Sequence, residues 1–158
     1  MIQRIQSIYL LLAAAALALM YFFPLSEHSF RGLVVPFTLL SKGGAQELTA
    51  SMMITVWPLV VGVLVLMILS LAALFLYSKR STQMKVVMVS VLLNILLILG
   101  SFWMVRRLAS RLDPAAVDQV MNYQFGAYLP VLSLLFLILA HRGIKKDEQK
   151  VRAADRLR

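Results

Sequence analysis

The sequence contains no cysteine. Disulfides, zinc–thiolate centres and thiol redox chemistry are therefore closed to it. Acids are scarce, with seven Asp and Glu against sixteen Lys and Arg. No Asp, Glu, Lys, Arg or His stands in the middle of any long apolar run. Proton-coupled transporters and voltage sensors rely on such groups, so both readings lose their chemistry. The two histidines, His28 and His141, have no second ligand at helical spacing, so no metal is expected. No serine lies in a nucleophile elbow, and no glycine-rich loop opens a helix. Hydrolase and nucleotide-binding readings thus have no support, and neither an enzyme activity nor a cofactor is expected.

What the chain has in quantity is apolar surface. Hydrophobic residues make up 61% of the 158. Soluble domains hold about 45–50%, and so short a chain has no soluble core that could absorb the excess. Two runs, 54–77 and 86–105, each match the roughly 20 residues of helix that cross a hydrocarbon core. The basic link 78–85 between them is too charged to enter lipid. The pair therefore reads as an antiparallel membrane hairpin, with the link on one face of the membrane.

Two further runs flank this hairpin. Residues 5–23 are apolar apart from Gln6 and Ser7. A signal peptide would look similar at first, and Ala16–Leu17–Ala18 resembles a cleavage site. The run is longer than a secretory h-region, however, so it is read as a retained first span. Its Ala13–Ala14–Ala15–Ala16 patch would let a neighbouring helix approach closely. Pro24 ends it. Residues 24–53 form a polar outer loop, in which Leu33–Val34–Val35, Phe37–Thr38–Leu39–Leu40 and the turn signal Lys42–Gly43–Gly44 suggest a small hairpin on the membrane surface. The second helix is expected to open near Trp57–Pro58, with proline in its first turn. Asp113–Pro114 predicts an N-cap and a short helix to about Met121. The last run, 123–141, has Tyr123 and Tyr128 as interfacial anchors. A re-entrant segment is the alternative there, because the strictly apolar part is short. Residues 142–158 form a basic tail, with Glu148 and Arg152 four apart and Asp155 and Arg158 three apart, in helix-supporting order.

The net charge of +9 could suggest nucleic acid. Its placement argues otherwise, because the charges sit at the ends of apolar runs and in the tail. Such flanking charge serves orientation and contact with anionic headgroups, so membrane lipids and not nucleic acid are the expected partners. With the N-terminus inside, the inner segments carry eleven Lys and Arg and the outer segments five. The chain reads as a single all-α membrane domain: four transmembrane helices in an antiparallel up-down bundle, N-in/C-in, with a cytoplasmic helical tail.

Two groups of residues are candidates for function. Ser90, Asn94 and Ser101 fall at i, i+4 and i+11, on one face of the third helix. Asn94 lies near mid-membrane, where an unpaired amide is costly, so it should face another helix. The structural reading of this face is an interhelical clamp, and the functional one is a polar path for a small solute. The second group is the tail, with Lys145, Lys146, Asp147, Glu148, Val151, Arg152, Asp155, Arg156, Leu157 and Arg158. Its interspersed acids have no use in a lipid-only tail and point to a protein surface, or to a solvated helix.

Several stretches also carry a resemblance. Met1–Ile2–Gln3–Arg4–Ile5–Gln6–Ser7–Ile8–Tyr9–Leu10–Leu11–Leu12–Ala13 looks like the opening of an uncharacterised bacterial family of four-span membrane proteins, catalogued as a domain of unknown function. Arg80–Ser81–Thr82–Gln83, Gly126–Ala127–Tyr128–Leu129–Pro130, Lys145–Lys146–Asp147–Glu148 and the last eight residues, Val151 to Arg158, are similar to it too. The resemblance implies an inner-membrane protein and brings no catalytic residues. The function expected is a structural or accessory subunit that docks a cytoplasmic or membrane protein through its tail. The alternative is a component of small-solute or lipid transport. The oligomeric state is not legible in the sequence.

Overall fold

An apolar run can satisfy its own N–H and C=O groups only as a helix, and every long apolar run here is helical. The computed structural model describes residues 2–30, 33–40, 46–112 and 122–155. Along them lie α1 (Ile2–Leu19), β1 (Ser26–Phe30), β2 (Leu33–Phe37), α2 (Gln46–Phe75), α3 (Arg80–Leu112), β3 (Asn122–Tyr123) and α4 (Phe125–Asp155). Three helices contain stretches long and apolar enough to cross a membrane: Val56–Phe75, Arg80–Arg107 and Phe125–Val151. In α1 the apolar helical stretch is shorter, Ile5–Leu19, because the chain leaves the helix in a turn before Pro24.

The helices outrun the apolar runs. α2 opens at Gln46, well before Trp57, so Pro58 sits inside the helix and not in its first turn. It has no N–H to offer the preceding turn, and its ring faces outward, where it displaces no packing. The basic link also shrinks. α2 tightens into a 3₁₀ turn at Leu76–Ser78, and α3 begins directly after Lys79. The Lys79 carbonyl accepts from the Gln83 N–H at 2.9 Å and so starts the new helix. α4 is unbroken from Phe125 through Pro130 to Asp155, so the run at 123–141 is not re-entrant in shape. The short helix expected at 114–121 lies outside the described residues.

Each helix packs on two others: α1 on α2 and α4, and α3 on α2 and α4. The buried positions form regular seams. They are 6, 10, 13 and 17 on α1, continued by Met20 in the turn after it, and 56, 59, 63, 66, 70 and 73 on α2. On α3 they are 83, 87, 90, 94, 97, 101 and 104, and on α4 they are 130, 133, 137, 140, 144 and 147. Steps of three and four alternate, which is the 3.5-residue period of left-handed helix packing. Gly62 brings α2 close to α3, since a Cβ there would stand 3.0 Å from Leu97 Cδ1. Outside the seams the helices expose Leu, Ile, Val, Phe and Trp, on α1 as on the other three.

One end is closed by a three-stranded antiparallel sheet in the order β2-β1-β3. The register pairs Ser26 with Phe37 and with Tyr123. The loop is therefore more than a hairpin lying on a surface. Its first strand is Ser26–Phe30, paired antiparallel with Leu33–Phe37, and a third strand arrives from beyond α3. Of the stretches expected as strands, 33–35 lies in β2, whereas 38–40 follows it as coil and turn, and 42–44 lie outside the described residues. Leu25, Phe37 and Leu39 plug the end of the core against Val56, Leu59, Val105 and Leu129. A second cluster fills the other end with Leu10, Ala13, Ala73, Val87, Leu137, Ala140 and Ile144.

Candidate functional site

Polar side chains are few on the seams, and most of them bond to their own helix or to a neighbouring one. Asn94 is fully buried, and its Nδ2 donates to Ser133 Oγ on α4 at 3.1 Å. Its Oδ1 is buried without a hydrogen-bond partner among the described residues. Ser90 and Ser101 lie on the same buried face, but their hydroxyls donate back to Val86 O and Ile98 O of their own helix. Ser70 on α2 does the same to Leu66 O at 2.8 Å. Hydroxyls turned back in this way satisfy themselves inside an apolar core, and they leave little polarity for a passing solute.

The polar groups that gather lie at the end opposite the sheet, where all four helices meet. Gln6 and Ser7 come from the start of α1, and Tyr77 from the end of α2. Arg80 and Gln83 come from the start of α3, and Ile144 and Asp147 from α4. Together they line a small, partly open chamber of about 10 Å³. Gln6 and Asp147 are both buried, and Gln6 Nε2 donates to Asp147 Oδ2 at 2.6 Å. Gly143 makes room for this contact, because a Cβ there would stand 3.0 Å from Gln6 Cγ. Gln83 is buried as well, and its Nε2 donates to the Ala73 carbonyl at 2.9 Å. That bond satisfies a carbonyl in the last turn of α2, which a helix end otherwise leaves open.

The tail is thus split by the geometry of its helix. Ile144 and Asp147 turn inward onto α1, with Glu148 half-buried beside them. Arg142, Lys145, Lys146, Lys150 and Val151 are exposed. The side chains of Arg152 and Asp155, and residues Arg156, Leu157 and Arg158, lie outside what is described.

Sequence reasoning placed Asn94 and its two serines on one face but did not assemble the chamber. Gln6 and Ser7 read as blemishes in an apolar run, Arg80 and Gln83 as link, and Asp147 as tail. One signal could have found Asp147. It continues the spacing of Leu137, Ala140 and Ile144, so a helix that extends the seam must turn the acid inward. Among the described residues no three His, Asp or Glu side chains come together to hold a metal ion.

A family model described as Domain of unknown function (DUF4293) matches residues 2–157. No curated protein and no solved structure matches the chain.

Proposed function

Since the chain belongs to the DUF4293 family, whose function is unknown, its role has to be read from its own geometry, and we propose a non-enzymatic accessory subunit of the bacterial inner membrane that docks an acidic protein surface on the exposed basic face of α4. The observation that carries this reading is the continuation of α4 beyond its apolar part as an ordered helix. That helix keeps one side for α1 and presents Lys145, Lys146, Lys150 and Val151 outward. The alternative, transport along the face of Ser90, Asn94 and Ser101, is weakened because both serine hydroxyls are turned back onto their own helix.

In this reading the protein is a four-helix bundle that crosses the membrane four times, with both termini cytoplasmic. α1 is the fourth span. Its 18 residues rise about 27 Å, close to the roughly 30 Å of a hydrocarbon core. Its outward face is as apolar as those of its neighbours, with Ile8, Leu11, Leu12 and Leu19 exposed. The distribution of Lys and Arg sets the orientation. Cysteines placed at Ser81 and Ala153 are expected to resist an impermeant thiol reagent in intact spheroplasts, and one at Leu40 to react. Labelling at Ser81 with protection at Leu40 would reverse the orientation.

Docking is tested by co-purification in mild detergent. A stoichiometric protein partner is expected with the wild-type chain. Changing Lys145, Lys146 and Lys150 together to Gln should weaken its retention by about tenfold, the sum of three partly screened charges. Undiminished retention by the triple variant, or retention of lipid with no protein, would remove the docking role.

A further inference from the structure

The chamber at the meeting of the four helices is separate from the exposed docking face, and it contains an imbalance. Asp147 is 9% exposed, and its carboxylate is met by a neutral amide, Gln6 Nε2. A carboxylate offers about four acceptor positions, and a buried one is normally paired with a cation. Arg80 lines the same chamber, yet no ion pair joins it to Asp147 among the described residues. An anionic group and a cationic group therefore share one small cleft without neutralising each other. That arrangement suits a ligand carrying both charges close together.

Size narrows the ligand. The chamber, about 10 Å³ and partly open, has room for about one water-sized group. A primary ammonium has N–H groups to donate to a carboxylate, whereas a trimethylated one has none. Position narrows it further. Tyr77 lines the cleft and is exposed at the end of α2, and tyrosine favours the headgroup level of a membrane. On α1, Ile5 and Ile8 flank Gln6 and are half exposed, so acyl chains can reach the same level. Basic pockets between membrane helices are known headgroup sites, and this one adds an acid.

We propose that this cleft binds phosphatidylethanolamine. The lipid's ammonium enters the chamber and donates to Asp147, and its phosphate is held by Arg80 at the rim. Ser7 and Gln83 border the headgroup, and the acyl chains lie along the apolar outer face of α1. The lipid would then tie the start of α1 to the ends of α2 and α4.

The test uses the full chain, delipidated in mild detergent and titrated with phosphatidylethanolamine, phosphatidylcholine or phosphatidylglycerol, with bound lipid read by native mass spectrometry. Phosphatidylethanolamine is expected to be retained about tenfold better than either of the others, as for one charge-assisted contact. The Asp147→Asn variant keeps an acceptor for Gln6 and so should fold, but it should lose that preference. Arg80→Gln should weaken phosphatidylethanolamine and phosphatidylglycerol alike. Free phosphoethanolamine should compete only weakly, because it lacks the acyl chains. Equal retention of the three lipids, an Asp147→Asn variant that still prefers phosphatidylethanolamine, or free phosphoethanolamine competing as well as the lipid would each overturn the proposal.

Discussion

Replacing Gly126 with valine is expected to destabilise the protein by about 3 kcal/mol, the upper part of the range for overpacking a tight site. A Cβ at this position would stand 2.5 Å from the Pro24 carbonyl oxygen and 2.6 Å from that of Phe23. These neighbours are backbone and have no rotamer with which to step aside. They are also held in place, because Gly126 N donates to Pro24 O, Gln124 N to Leu25 O and Leu25 N to Phe37 O. The edge-to-face pair of Phe23 and Phe125, 5.3 Å between centroids, closes the same joint. Any shift that admits a side chain must therefore part α4 from the end of α1 and loosen β1 from β3. Titration with SDS in mixed micelles measures the loss. A change below about 1 kcal/mol would mean that the joint yields more easily than its backbone contacts imply.

Leu137→Ala is the second large effect, with an expected loss of about 3–4 kcal/mol, inside the range for truncating a buried leucine. Leu137 is fully buried, and its cluster includes Ala13, Ala73 and Ala140. The cost of such a truncation depends on how far the neighbours can collapse into the space. Alanines on three helices have nothing to extend into that space. Leu135, two residues earlier on the same helix, is 55% exposed on the outer face. Leu135→Ala should cost less than about 1 kcal/mol in the same titration, because in lipid an outward leucine exchanges one apolar neighbour for another. Equal losses at the two positions would mean that the seam is not the packed interior.

The comparison of leucines 135 and 137 shows what hydropathy can and cannot convey. Both look the same in a run that is apolar all round, so periodicity marks the helix but not its inner face. The few polar residues do mark it. Ser70, Ser90, Asn94, Ser101 and Ser133 all fall on buried seams, since lipid offers them no hydrogen bonds and neighbouring helices or their own carbonyls do. The placement of Ser90, Asn94 and Ser101 on one face was legible for that reason. The partner of Asn94 was not, because Ser133 is 39 residues away along the chain. The sheet was legible in part. Leu33–Val34–Val35 has β-branched character, but β1 is Ser-Glu-His-Ser-Phe and carries no strand signal of its own. It is a strand because its backbone is flanked on both sides, by β2 and by β3.

The sequence alone determined that the long apolar runs of this chain are helical and that it is rich in segments fit for a membrane. Those conclusions follow from composition and local order, which a single strand of text contains in full. The tertiary structure decided three things that depend on distance in space. It brought Gln6, Arg80 and Asp147 into one cleft from three helices. It divided the tail into an inward side at Ile144 and Asp147 and an outward side at Lys145, Lys146 and Lys150. It also set Gly126 against the backbone of Pro24, where no side chain fits. The physical reason is the same in each case: a helix that is apolar on every side has no preferred face until its neighbours supply one.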